Sequence, residues 1–172
     1  MKYNRFEELP VWKAAIEFGV RVYALTVNPR FRGFYSLKDQ LERAAVSISN
    51  NIAEGFERGT TPELLTFIYI ARGSSGECRS VLCLIERLSA FADLKFEISD
   101  LKSTAEAISR QLRAWANSLQ NSDIRGQRYL NERSKKAAGL KAEREELRKE
   151  LEAAQLRNIQ NARNRGSNDS ES

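Results

Sequence analysis

The sequence predicts an all-α fold: an antiparallel up-down four-helix bundle with a charged, partly helical C-terminal extension. Three observations carry this. Four segments between residues 10 and 119 repeat apolar residues at alternating steps of three and four, the period of one helix face. The connections between them are short and hold helix stop and start chemistry. Past residue 120 the composition shifts to one rich in lysine and arginine.

The first helix is expected from about Pro10, since proline suits the opening helical position, to Val27. Its seam is Val11, Ala15, Phe18, Val22 and Leu25, and Asn28-Pro29 ends it. Phe31-Arg-Gly-Phe-Tyr35 reads as a loop with aromatic anchors. Ser36-Leu-Lys-Asp39 matches a capping pattern, so a second helix should begin at Ser36 and carry Leu37, Leu41, Ala45, Ile48, Ile52 and Gly55 inward. Gly59-Thr-Thr-Pro-Glu63 is a stop and restart, with Gly59 as a left-handed cap, Thr61 as N-cap and Pro62 in the first position. The third seam is Leu64, Ile68, Ala71, Ser75, Cys78, Leu82 and Ile85, ending near Phe91. The fourth is Ile98, Leu101, Ala105, Ile108, Leu112, Trp115 and Leu119.

The domain reading is therefore a bundle over residues 1–120, a basic, partly helical extension over 121–165 and a disordered tail over 166–172. Residues 123–165 hold 12 Lys/Arg against 7 Asp/Glu, whereas residues 1–122 hold 16 against 14, so most of the net +5 charge lies in the extension. Arg125, Arg128, Arg133, Lys135, Lys136 and Lys141, with Tyr129 as an aromatic for base stacking, make it the candidate nucleic-acid-binding segment. A solvated charged helix is the alternative for the same residues.

Composition also excludes chemistry. The chain contains no histidine, which removes Ser-His and Cys-His nucleophiles, histidine general bases and histidine metal sites. Two cysteines, Cys78 and Cys83, cannot form a four-thiolate site, and five residues apart on one helix they point in different directions. They read as free thiols of a reducing compartment. No metal, cofactor or catalytic residue is expected, and the chain reads as a non-enzyme. No apolar run approaches the roughly 18 residues of a membrane span. The opening MKYNRFEELP lacks an apolar signal core, so a cytoplasmic location is the expectation.

The stretch Ser47-Ile-Ser-Asn-Asn-Ile-Ala-Glu-Gly-Phe-Glu-Arg-Gly-Thr60 has poor helix propensity, yet the second seam runs through it without losing phase. It reads as helix, not as a loop site. Ser47, Asn51, Glu54 and Arg58 then form a polar stripe about 100° from the core stripe, at the bundle's margin. Such a stripe either bonds to neighbours, here Arg43, Arg58 or Tyr69, or faces a ligand or partner subunit. A tight turn near residue 60 pairs positions on the second and third helices whose numbers sum to roughly 120. Ala44, Ala45 and Ser47 are then expected to lie close against Gly73, Ser75 and Gly76, which explains the glycines without a phosphate loop.

These residues resemble a known family. Ala44-Ala-Val-Ser-Ile-Ser-Asn-Asn-Ile-Ala-Glu-Gly-Phe-Glu-Arg58 is similar to the signature of the four-helix bundle proteins named for 23S rRNA intervening sequences. Ile70-Ala-Arg-Gly-Ser-Ser-Gly-Glu77, Phe6-Glu-Glu-Leu-Pro-Val-Trp-Lys-Ala14 and Tyr35-Ser-Leu-Lys-Asp-Gln-Leu41 match further family motifs in order. The resemblance covers about residues 4–119; Ser75 and Gly76 and the long basic extension depart from the pattern. It implies a ring, commonly a homopentamer, and likeness to the accessory variability determinant of diversity-generating retroelements, which binds RNA and a reverse transcriptase. RNA, a reverse transcriptase or another polypeptide are thus the implied partners. The motif positions Ser47, Asn51, Glu54, Gly55, Arg58, Arg72, Gly73, Ser74 and Glu77 become candidate interface residues, with no catalytic role attached.

Overall fold

The computed structural model describes residues 3–121, 140, 143–149 and 152–153. Four α-helices make up the first of two compact units, Met1–Arg128: α1 (Pro10–Thr26), α2 (Tyr35–Glu57), α3 (Thr61–Arg87) and α4 (Lys95–Gln120). In the second unit, Tyr129–Ser172, the described residues are helical, and Leu140 and Leu147 are exposed. No helix of the described residues is long and apolar enough to cross a membrane.

The helices form a bundle in which α2 and α3 pack on one another, α4 covers α3, and α1 touches both α2 and α4. Opposed contacts run antiparallel from α2 to α3 (Gln40 with Glu77, Ser47 with Ser74) and from α3 to α4 (Tyr69 with Gln120, Glu86 with Lys102). All the expected seam residues of α1 and α3 are buried. So are Leu41, Ala45, Ile48, Ile52 and Gly55 of α2, with Leu37 only partly covered. On α4 the seam holds through Leu112 and then shifts, with Ala116 buried and Trp115 and Leu119 only half-buried. A helix of 3.6 residues per turn drifts about 20° per heptad, so a strict three-four pattern leaves the core after some turns.

The helix ends follow the core more than local signals. Phe34, not Ser36, precedes the first residue of α2, and the helix closes through Lys38 N donating to the Phe34 carbonyl at 3.1 Å without a side-chain cap. Phe34 stacks against Phe91 with ring centres 5.1 Å apart, and Phe31 lies 4.8 Å from the same ring. Packing the half-buried Phe34 against buried Phe31 and Phe91 outweighs a serine cap of about 1 kcal/mol. Gly33, at φ +86°, supplies the left-handed turn that brings Phe31 and Phe34 to one side.

Phe91 also explains why α3 ends at Arg87. Continued helically, the seam beyond Ile85 would point Ser89 and Ala92 inward and Phe91 outward. Ser89–Leu94 instead forms 3₁₀ turns, and Phe91 is fully buried.

At the α2–α3 turn, Gly59 does not take the left-handed conformation; Arg58 leaves the helix in extended geometry. Thr60, not Thr61, is the N-cap. Its hydroxyl oxygen accepts from Glu63 N at 3.4 Å and donates to Glu63 Oε2 at 2.6 Å, because the capping box needs a carboxylate three residues ahead.

The expected close packing of small residues is realised at a different place. A Cβ on Gly55 would lie 2.7 Å from Phe67 Cβ and 3.2 Å from Leu64 Cδ1, whereas one on Gly73 or Gly76 would meet nothing within 4 Å. Gly55→Ala should therefore lower the denaturant midpoint by an amount equivalent to about 1–3 kcal/mol. Gly73→Ala, on an exposed helical position, should raise it by about 0.5–1 kcal/mol. Urea unfolding of the two variants checks both signs at once.

Candidate functional site

Motif residues of α2 and α3 meet along one seam of the bundle at Ser47, Gly55, Ser74 and Glu77. Ser47 and Ser74 face each other across it with their hydroxyl oxygens 2.9 Å apart. Asn51 Nδ2 donates back to the Ser47 carbonyl at 2.7 Å and to Ser47 Oγ at 2.9 Å. Ser74 Oγ also donates to the Ile70 carbonyl at 3.1 Å. Lower on the stripe, Arg58 pairs with Glu54 at 2.5 Å, and its guanidinium lies 5.0 Å from the centre of the Phe67 ring.

The stripe therefore sits at the margin, half-buried at Ser47 and Asn51 and exposed at Glu54 and Arg58. Its hydrogen bonds stay within α2 or reach α3. Arg43 and Tyr69 are not among its partners: Arg43 pairs with Asp39 at 3.1 Å, and the Tyr69 hydroxyl accepts from Gln120. Gln40 on α2 donates to Glu77 on α3, so this motif acid also bridges the two helices. Gly55 provides the close approach, while Gly73 is exposed. Arg72 is half-buried and makes no ion pair among the described residues.

Ser75, read from the sequence as a seam position and as a small residue lying close against α2, has a specific role toward α4 instead. It is fully buried and donates to the Ala105 carbonyl at 2.6 Å, tying α3 to α4. A serine inside an apolar seam was the signal for it, but the acceptor is a backbone atom on another helix. Cys78 is buried and free, and burial, with the Glu77 charge adding to it, pushes its thiol up to about 12. It stays protonated at neutral pH and supplies no thiolate. Cys83 is free and half-buried. Arg125, Arg128, Tyr129, Arg133, Lys135, Lys136 and Lys141 lie outside the described residues.

The seam and its motif residues fall inside a match to the family described as 23S rRNA-intervening sequence protein, which spans residues 7–114. The chain belongs to that family. Among curated proteins, none matches it. The family match takes in every motif residue of α2 and α3 and stops before the basic extension. Of the motif residues in the matched span, Ser47, Gly55, Ser74 and Glu77 hold α2 against α3.

Asn51→Ala should cost about 1 kcal/mol through loss of the bonds to Ser47, whereas Glu54→Ala, in an exposed pair, should cost less than about 0.5 kcal/mol. Thermal or urea unfolding distinguishes them. Cys78 should resist alkylation in the folded protein at pH 8 while Cys83 reacts, and urea should make both reactive. The unfolded Cys78 ionises near its ordinary value of about 8.5, the folded one only at about 12. The stability this thiol contributes is thus lost as pH rises through that window. Comparing wild type with Cys78→Ala between these limits measures it.

Proposed function

We propose that this protein is a non-enzymatic, self-assembling bundle that acts in association with RNA. Membership of the 23S rRNA-intervening sequence protein family is the observation that carries the reading, and a net charge of +5 supports it. The motif residues favour a structural over a catalytic role. Ser47, Asn51 and Ser74 bond to one another, Glu54 pairs with Arg58, and Cys78 is held neutral. The basic extension, with Arg125, Arg128, Tyr129, Arg133, Lys135, Lys136 and Lys141, is assigned to RNA contact.

Assembly is supported by α1. Ile16, Val20, Tyr23 and Val27 are spaced four, three and four and are 40%, 59%, 46% and 72% exposed, an apolar stripe turned away from the core. A ring of subunits, with five members as the resemblance implies, would cover such stripes. The same stripe favours a second reading, a scaffold for a polypeptide partner such as a reverse transcriptase, in which RNA plays no part.

Binding to a single-stranded RNA, followed by anisotropy across a salt series, should weaken steeply with salt. Truncation after Asn121 should make the log–log slope shallower by about 0.7 for each phosphate that the shortened chain no longer neutralises. Salt-insensitive binding that is unchanged by truncation would remove the extension from the interface. Capture of a polypeptide partner that survives nuclease would favour the scaffold. Native mass measurement should give a closed oligomer, and Val20→Glu with Tyr23→Glu should reduce it to monomer; a monomeric wild type contradicts assembly.

A further inference from the structure

The groove between α3 and α4 holds a row of arginines that the carboxylates present do not balance. By helical spacing, Arg72 and Gly76 fall on the α3 edge that Tyr69 and Arg79 mark, at steps of three, four and three. Three contacts fix this edge against α4: Tyr69 with Gln120, Arg79 with Glu106, and Glu86 with Lys102. Arg79 approaches Glu106 at 3.8 Å, and Arg110, one turn along α4, binds the same carboxylate at 3.0 Å. Two guanidinium groups thus share one acid.

One heptad further along the antiparallel groove, the position equivalent to Arg79 is Arg72 and that equivalent to Glu106 is Arg113. A cross-helix attraction is replaced there by two like charges. Neither arginine makes an ion pair among the described residues. Local rescue is also closed. One turn either side of Arg72 stand Ile68, Tyr69, Ser75 and Gly76, and one turn either side of Arg113 stand Ser109, Arg110, Ala116 and Asn117, with no acid among them.

Between Arg72 and Arg79 on the same edge, Gly76 leaves an open notch, since a Cβ there would meet nothing within 4 Å. Tyr69 closes one end of the row, 43% exposed, with its hydroxyl fixed by Gln120 Nε2 at 2.9 Å. Four arginines, one shared carboxylate, an open notch and an anchored aromatic ring form a surface complementary to a chain of phosphates with bases beside it.

We infer that the α3–α4 groove is a phosphodiester-binding site, in which Arg72 and Arg113 clamp the backbone of a single-stranded RNA across the Gly76 notch and Tyr69 stacks a base. The site is built from bundle residues alone and uses none of the basic extension. It rests on the proposed association with RNA for the identity of its ligand, but not for its affinity for phosphate. Bound phosphate would relieve the Arg72–Arg113 repulsion, so the like-charge pair is accounted for by the ligand it accepts.

The test uses the full chain carrying Arg72→Gln and Arg113→Gln. The control carries Arg30→Gln and Arg43→Gln, which removes the same charge from arginines paired with Asp93 and Asp39. In salt titrations with a single-stranded RNA, the groove variant should lose about 1.4 from the log–log slope, at roughly 0.7 per phosphate, and bind roughly 20-fold more weakly at ~0.1 M salt. The control should change little. Equal losses in the two variants, or an unchanged groove variant, would overturn the site while leaving RNA association standing.

Inorganic pyrophosphate at matched ionic strength provides the second arm. It should raise the unfolding temperature of wild type and control and raise that of the groove variant less. A wild type that binds no RNA but shows this pyrophosphate response would refute the RNA association and keep the anion site. Absence of RNA binding together with an equal or absent pyrophosphate response in all three proteins would refute both.

Discussion

The close approach of α2 and α3 at Gly55 is the contact on which the rest of the bundle depends. With no side chain at Gly55, Phe67 and Leu64 seat directly on the α2 backbone, just above the turn capped by Thr60. A contact this short, so near the turn, admits one register between the helices. Ser47 then meets Ser74 two turns further on, and Gln40 meets Glu77 beyond it. With α3 held in this way, Ser75 points at the Ala105 carbonyl and fixes α4. The aromatic trio of Phe31, Phe34 and Phe91 closes the opposite end from the turn at residue 60.

This hierarchy accounts for how the polar motif residues of α2 and α3 are used. Buried or half-buried polar groups are costly unless bonded, and those of the α2–α3 seam are bonded to each other and to backbone. They specify which helix lies against which, and at what height. On the bundle, this leaves outside the seam the apolar stripe on α1 and the arginine-rich groove between α3 and α4 for the proposed partners. An apolar surface suits a protein neighbour and a row of arginines in excess of carboxylates suits phosphate, so the proposed assembly and RNA contact fall on different faces of one bundle.

Much of the fold was legible in the sequence because burial imposes a period that residue types record. The seams of α1 and α3 and nearly all of α2 were readable, as was helix through Ser47–Glu57 despite its poor propensity, since apolar phase outweighs single-residue preferences of a few tenths of a kcal/mol. Of the candidate site, the Glu54–Arg58 pair was readable from its spacing. Arg43 and Tyr69 were not excluded by spacing, because several partners lay within reach of a long side chain.

The sequence by itself determined the helices, their inward faces and the order of the short turns, because these follow from local periodicity and capping chemistry. Only the tertiary structure decided that Phe34 displaces a serine cap, that Phe91 ends α3, and that Thr60 rather than Thr61 caps its start. It alone showed that Gly55 is the crowded glycine while Gly73 and Gly76 stand open, and that among the described residues Arg72 and Arg113 have no acid where Arg79 has one. Each of these turns on about a kilocalorie or on which residue of another helix lies opposite, and a linear chain does not contain that neighbour until the bundle has formed.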